Sequence, residues 1–507
     1  MSAVETSFSG GVRLADVSDF IAPSQACVVA VGTPELPGKD EAKAKTGEVS
    51  LQSRARRGQA KANPKGAKPG GSKAGEDPVK ISLNDCLACS GCVTSAETVL
   101  LEQQSTEEFL RVLEAKAESD RVVVVTISQA SRTSLASHYG LSPLEMTMRL
   151  TGFLKSLGAD FVLEDNTGRD VALLATLEEF WDKYTSGRGG VGQGFSLPLL
   201  TSECPGWVLY AEKTHGEVVL PYMSKARSAI ATLGSLTKKL LPSKLGVDAG
   251  SIYHCFISPC FDKKLEALRE DLKSGEFADL DCVLATTEFH NLLKMKSFAE
   301  QTCPALPFDD ILQGPGTQQA QFSNFGSSGG YLEFVFRECV GRLRGQAVFE
   351  PDKPLPLKVI RNQDFQEISL QGEDGRVILH FALAYGFRNI QNIIRRIKQK
   401  KMTYHFVEIM ACPSGCLNGG GQMKDDDQVD EMGRRVIDRK EILRQLEQLY
   451  HDSEVARRHP RGNPNTSQIE EWLGGFKTPK ANEVLYTEFH DRSQKKNEAP
   501  TPMMLDF

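Results

Sequence analysis

From Ser105 onward, helix and strand signals alternate along the chain, an order that confines it to an α/β fold with a largely parallel sheet covered by helices. Ser105 and Glu108 form a capping-box pattern for a helix reaching about Ala117, and Arg121 to Ser128 is a β-branched strand. Ser142, Pro143 and Glu145 supply an N-cap, an N1 proline and an acidic N3 for the next helix, which Gly158 is placed to end. Phe161 to Leu163 reads as a short buried strand. The alternation continues with helix 173–184, strand 195–200, a helix over 224–241, strand 252–257, helix 262–272 and strand 281–285. A second α/β block opens near Phe325, with helix 331–343, extended segments around 357–359 and 377–384, helix 389–400, strand 404–409 and an amphipathic helix 435–450. Past about His459 the pattern turns polar and loose. The expected organisation is an N-terminal region 1–104, a first lobe 105–324, a second lobe 325–458 and a tail 459–507.

With 507 residues the chain has room for roughly three domain-sized units. Its 60 Lys and Arg against 66 Asp and Glu give a formal charge of −6, so no whole-chain basic field attracts nucleic acid or an anionic membrane. The longest uninterrupted run of Val, Ile and Leu, Val122 to Val125, falls far short of the ~20 apolar residues that span a bilayer. Met1 to Gly10 carries an acid and no apolar h-region, which argues against a secretory signal and for a reducing compartment. One segment departs from globular composition. Lys39 to Lys80 holds eleven basic and five acidic residues with almost no large apolar side chain, and reads as a flexible insertion spanning 36–80. It has no interleaved aromatic for base stacking, so a solvated loop is the preferred reading.

Twelve cysteines are too dilute here for a disulfide scaffold, and their grouping points to metal. Cys86, Cys89 and Cys92 stand at three-residue intervals on one loop, so their thiolates can turn toward different irons of one cluster. Ferredoxin runs continue to a fourth Cys followed by Pro. Here Val93-Thr94-Ser95 follows, so the fourth ligand comes from elsewhere, and Cys27 is the candidate because no other cysteine lies upstream. A four-thiolate zinc site is the rival; zinc motifs usually arrive as two separated pairs, which favours iron-sulfur. A second set comes from distant segments: Cys204, Cys260, Cys412 and Cys416. Cys204 and Cys260 each follow an expected strand and precede an expected helix, at the carboxyl edge of a sheet where helix N-termini favour an anionic centre. The run Gly419-Gly420-Gly421 would let the backbone approach a cluster and donate N–H to sulfur. Cys255, Cys282, Cys303 and Cys339 lie in apolar or helical settings and read as core residues. The glycine pattern 187–192 follows an expected helix instead of a strand and is set aside as a dinucleotide site.

The flanks of these cysteines carry a specific resemblance. Thr201-Ser202-x-Cys204-Pro205-x-Trp207, Pro259-Cys260-x-x-Lys263-x-x-Glu266 and the stretch Glu408 to Gln422 resemble the three cluster motifs of iron-only hydrogenases. With Asp19-Phe20-Ile21-x-Pro23-Ser24-Gln25-x-Cys27 and the Cys86 run, the chain resembles the Nar (NARFL) family, hydrogenase-like factors of cytosolic iron-sulfur protein assembly. The resemblance implies an iron-only-hydrogenase-like two-lobed α/β fold with parallel sheets flanked by helices, plus a small N-terminal ferredoxin-like region. It implies two [4Fe-4S] clusters, one on Cys27, Cys86, Cys89 and Cys92 and one between the lobes on Cys204, Cys260, Cys412 and Cys416.

The same resemblance bears on activity. Active iron-only hydrogenases attach a two-iron subcluster through the cysteine at the place of Cys416 and pass protons through a cysteine just before the first ligand, where this chain has Glu203. Ser258 stands where they tend to carry Met, and Met423 where a proline commonly follows. The expectation is a protein without hydrogenase activity, with an active hydrogenase as the alternative, and Lys263 with Glu266 as a structural ion pair. By resemblance the chain acts in the cytoplasm, with nuclear entry left open, and links early scaffold NTPases to a targeting complex containing a WD40 propeller. Leu505-Asp506-Phe507 resembles the C-terminal tripeptide that docks on that complex; an apolar residue, an acid, an aromatic and a free carboxylate suit a basic, partly apolar pocket.

Overall fold

The computed structural model describes residues 103–116, 119–187, 197–299, 302–318, 325–345, 353–424, 439–451 and 458–493. Cys27, Cys86, Cys89, Cys92, the insertion 36–80 and Leu505, Asp506 and Phe507 lie outside the described residues. In chain order the principal strands are β1 (Val122–Ile127), β2 (Phe161–Glu164), β3 (Leu199–Thr201), β4 (Ile252–Ser258), β5 (Cys282–Ala285), β6 (Lys358–Asn362), β7 (Phe365–Gln371), β8 (Val377–Tyr385) and β9 (Phe406–Met410). The principal helices are α1 (Thr106–Ala115), α2 (Gln129–Tyr139), α3 (Pro143–Ser156), α4 (Asn166–Ser186), α5 (Pro205–Thr214), α6 (Ala229–Leu245) and α7 (Asp262–Ala267). They continue with α8 (Thr286–Met295), α9 (Tyr331–Arg344), α10 (Phe387–Lys398), α11 (Arg439–His451), α12 (Pro464–Leu473) and α13 (Pro479–Leu485).

Two sheets organise these elements. The first runs β2-β1-β4-β5 with every pairing parallel. The second runs β6-β7-β8-β9-β3; β6, β7 and β8 are antiparallel, while β8, β9 and β3 are parallel. β3 comes from the first α/β block yet joins the sheet of the second, so the chain crosses between the sheets before reaching Cys204, the first cysteine of the second set.

Side-chain alternation along the strands builds the layers. In β1, Val124 faces one core while Val123, Val125 and Ile127 face another with α1, α2, α3 and α8. The first core also takes Leu163 and Phe256 from the first sheet and Leu379, Phe381 and Phe406 from the second, with α4, α6 and α9 between them. The outer face of the second sheet is covered by α5 and α10; the latter buries Ile390, Ile393, Ile394 and Ile397 along one stripe and turns Arg395 and Lys398 to solvent. The order is helices, sheet, helices, sheet, helices.

The structure departs from the sequence reading at several elements. α2 fits no expected helix, and Ser128, read as strand, is its N-cap, accepting from the Ser131 N–H. α4 begins at Asn166 and not near 173. The segment past His459 is ordered: Asn463 caps α12, Thr478 caps α13, and Ile469, Leu473, Val484 and Leu485 enter the central core. Cys255, Cys282 and Cys339 are buried as expected, while Cys303 is half-buried. Among the described residues no helix is long and apolar enough to cross a membrane.

Candidate metal centre

β9 and β3 are parallel neighbours, with Val407 opposite Leu200 and Glu408 opposite Thr201, so their C-terminal ends open onto one spot. Cys204 follows β3 as the N-cap of α5, and Cys412 stands two residues past β9. Cys260 stands two residues past β4, in the other sheet, just ahead of α7. Cys416 sits in the 3-10 turn Gly415–Asn418. The four thiols act on one another electrostatically: Cys260 feels Cys204, Cys412 and Cys416, and Cys412 feels Cys204 and Cys416. Three remote segments and two sheets thus deliver the second cysteine set to one place.

Local hydrogen bonds fix each loop. Ser202 Oγ donates to Ile409 O (2.6 Å) and accepts from the Cys204 N–H (3.0 Å), locking the first cysteine to the end of β9. Ser258, which stands where hydrogenases tend to carry Met, holds the Cys260 turn: its Oγ donates to Cys260 O (2.9 Å) and accepts from the Cys260 N–H (3.3 Å). The Cys416 N–H donates to Ser328 Oγ at 2.8 Å. The glycine run works differently from the sequence expectation. Gly421 N–H donates to Pro259 O (3.1 Å) and Gly419 N–H to Cys416 O (3.0 Å), so these two amides are committed to carbonyls and not to sulfur. A Cβ at Gly419 would lie 2.2 Å from Pro259 O, and one at Gly421 would lie 3.2 Å from Cys260 Cα; glycine is required because two loops meet there. Gln422 closes the join, donating to Ala130 O (3.0 Å) and accepting from Thr286 Oγ1 (2.8 Å).

Burial governs the titration of the centre. It pushes the Cys204 thiol up to about 12, aided by Asp262, although the Ala411 and Trp207 backbone N–H groups point at its sulfur and pull the other way. Burial likewise raises Cys260 and Cys412 well above the ordinary thiol value, and raises Cys416 against the opposing Ser328 hydrogen bond. Asp262 is lifted to about 8 by burial, against the pull of Lys263. Without metal, then, the centre holds four neutral thiols. Among the described residues no group of three or more His, Cys, Asp or Glu side chains meets the requirements of a single-ion site. The donor set is all sulfur, drawn from four loop positions, with backbone N–H groups aimed at Cys204; that chemistry fits a polynuclear thiolate-bound cluster.

Glu203 lies beside this centre and is 8% exposed. Its carboxylate accepts from the Ala229 N–H at the start of α6 (3.0 Å), from the Tyr331 hydroxyl (2.7 Å) and from Lys263 Nζ (3.3 Å). Lys263 also pairs with Glu266 at 2.6 Å, the ion pair expected from the sequence. Burial opposes the charge on Lys263, but Glu266 and Glu203 more than offset it and hold the ammonium above its ordinary value. A second buried carboxyl, Glu408, accepts from the Leu332 N–H (2.7 Å) and the Tyr385 hydroxyl (2.8 Å), and burial raises it to about 7. Tyr331, Tyr385 and Arg169 were not singled out by the sequence, and the one signal bearing on this network was the position of Glu408 at the head of the third motif.

Comparison with known proteins agrees with this geometry. Residues 121–420 match the iron only hydrogenase large subunit, C-terminal domain. The chain is 41% identical over 490 residues to cytosolic iron-sulfur assembly component 3 of Mus musculus, covering 95% of this chain and 96% of that protein. It is 40% identical over 495 residues to Protein NAR1 of Arabidopsis thaliana, again covering 95% and 96%. The chain belongs to the Nar family. Among solved structures, an [FeFe]-hydrogenase from work on oxygen inactivation of the H cluster superposes with a TM-score of 0.63 at 24% identity, covering 76% of this chain and 98% of that one. A second [FeFe]-hydrogenase structure, from work on stepwise assembly of the H cluster, gives 0.61 at 23% identity, over 78% and 98%. The Nar-family chain therefore has a hydrogenase-like fold.

Proposed function

We propose that this protein is a component of cytosolic iron-sulfur protein assembly. It binds two [4Fe-4S] clusters and links an early NTPase scaffold to the targeting complex that matures extramitochondrial iron-sulfur proteins. The reading is carried by the convergence of Cys204, Cys260, Cys412 and Cys416 in a chain whose relatives are named as assembly components. These four cysteines hold the second cluster, and Cys27, Cys86, Cys89 and Cys92 hold the first. Bound there, a cluster supplies one-electron capacity and an iron-sulfur unit for delivery. The protein's own residues supply the frame: the Ala411 and Trp207 amides point at the Cys204 sulfur, Ser202 and Ser258 fix two ligand turns, and Gly419 and Gly421 let the Cys260 and Cys416 loops meet.

The protein is not a working hydrogenase. Glu203 replaces the proton-passing cysteine, and its carboxylate is held by Ala229, Tyr331 and Lys263, so it is engaged as an anchor. Leu505, Asp506 and Phe507 dock on the targeting complex, and the place of action is the cytoplasm. Anaerobic iron and sulfide analysis tests the reading. Wild-type protein carries about eight iron atoms, and Cys412→Ala loses about four of them together with several degrees of melting temperature. Unchanged iron and melting temperature would sink the assignment of the second site. Iron-bound carbon monoxide or cyanide infrared bands, or hydrogen evolution from reduced viologen, would favour a hydrogenase instead.

A further inference from the structure

Arg169 lies in the first turn of α4, with its side chain 5% exposed. Its Nη2 donates to Asp165 Oδ2 at 3.1 Å, closing an ion pair across that turn. Its Nε and Nη1 have no hydrogen-bond partner among the described residues. A buried guanidinium that leaves donors unmade is costly, so such a group marks a place where a further acceptor belongs. The surroundings say where. In the same first turn of α4, Asn166 accepts from Gln129 Nε2, Gln129 Oε1 accepts from the Tyr450 hydroxyl (2.8 Å), and Tyr450 packs with Leu417 and Cys416, which places Arg169 on the side of the thiol centre formed by the Cys416 turn; its charge acts on Tyr450, Asp165, Glu203 and Cys416 in keeping with that. Lys263, the other cation acting on Cys416, is already engaged by Glu203 and Glu266. Arg169 is the cation there that retains open donors.

We infer that Arg169 is a positioning residue for the cluster held by Cys204, Cys260, Cys412 and Cys416, supplying buried N–H donors and positive charge on its Cys416 side. This inference rests on the cluster assignment above. A thiolate-bound cluster brings net negative charge into a low-dielectric site, and a fixed buried cation stabilises that charge, the reduced form most of all. Arg169 therefore raises the reduction potential of the second cluster and slows its loss.

Redox titration followed by electron paramagnetic resonance, on the anaerobically purified full chain, tests this. Arg169→Gln is expected to shift the midpoint of the second cluster to more negative potential and to speed iron release to a chelator several-fold. Arg169→Lys, which keeps the charge, is expected to restore most of the potential. Because Arg169→Gln leaves Asp165 unpaired and can impair folding, the double variant Asp165→Asn with Arg169→Gln removes the pair as a unit. It too is expected to show faster iron release than wild type. Full iron content with wild-type potential and release rate in Arg169→Gln, or in the double variant where the single does not fold, would overturn the inference. A Cys416→Ala variant that keeps all its iron would instead overturn the cluster assignment, and the role of Arg169 with it.

Discussion

At the scale of single residues, the buried acids give this protein a measurable pH signature. Glu408 is raised from an ordinary value of 4.5 to about 7 because burial penalises its charged form, despite hydrogen bonds from Leu332 and Tyr385. Between those two values the folded protein binds a proton that the unfolded chain has released. Stability from this group is therefore fully present below pH 4.5 and is lost as pH rises through 7. Glu408→Gln keeps the shape and cannot ionise, so its melting temperature should fall less than that of wild type between pH 5 and 7.5. Parallel curves would show that Glu408 is not the titrating group. The residue scale also shows what a sequence discloses. The four thiols were legible because Pro, Trp, Lys and Gly at fixed offsets frame them. Arg169, Tyr331 and Tyr385 were not, because α4, α9 and β8 are brought to the centre by tertiary packing and no spacing along the chain records it.

At the scale of elements, the legible parts were those with a local cause. The N-cap at Ser105, the proline start at Pro143 and the β-branched run of β1 all appear where their chemistry places them, although Glu108 completes no capping box and binds Arg111 instead. α2 was hidden because Gln129 to Ala136 are all buried yet mostly polar, so no apolar stripe betrays the period of the helix. The glycine run after Cys416 was seen, but its purpose was misassigned, since only the folded chain shows Pro259 against it. That contact yields a prediction about how two elements are joined. Gly419→Ala puts a methyl on Pro259 O, whereas at Gly326 the nearest atom to an added Cβ is 3.8 Å away. Gly419→Ala should cost about 1–3 kcal/mol, as overpacking does, and lower the iron bound at the second site. Gly326→Ala should leave both unchanged. Equal melting temperatures and iron content for the two variants would show that the loops can part without consequence for the centre.

At the scale of the whole molecule, the ordered C-terminal segment sits against the candidate centre. After α13 the chain forms a β-bridge between Tyr486 and Ala226, and the Thr487 N–H donates to Lys225 O (2.8 Å). Buried Glu212 then anchors it, accepting from the His490 N–H (3.0 Å) while also binding the Arg269 guanidinium through both oxygens (2.9 and 3.0 Å). Thr487 and Phe489 line a cavity of about 40 Å³ together with Cys204 and Glu203. Residues 486–493 thus cover one side of the candidate site, while the proposed function gives Leu505, Asp506 and Phe507 a separate task, docking on a partner. Deleting Leu505 to Phe507 should abolish binding to the targeting complex and leave iron content and melting temperature as they were. Truncation after Leu485 should in addition unpair Glu212 and Arg269 from their cover, lower the melting temperature by several degrees, and speed iron release to a chelator, because Cys204 then opens to solvent through that cavity. Release rates that match between the two truncations would mean that 486–493 is passive packing and that the cluster is reached by another face.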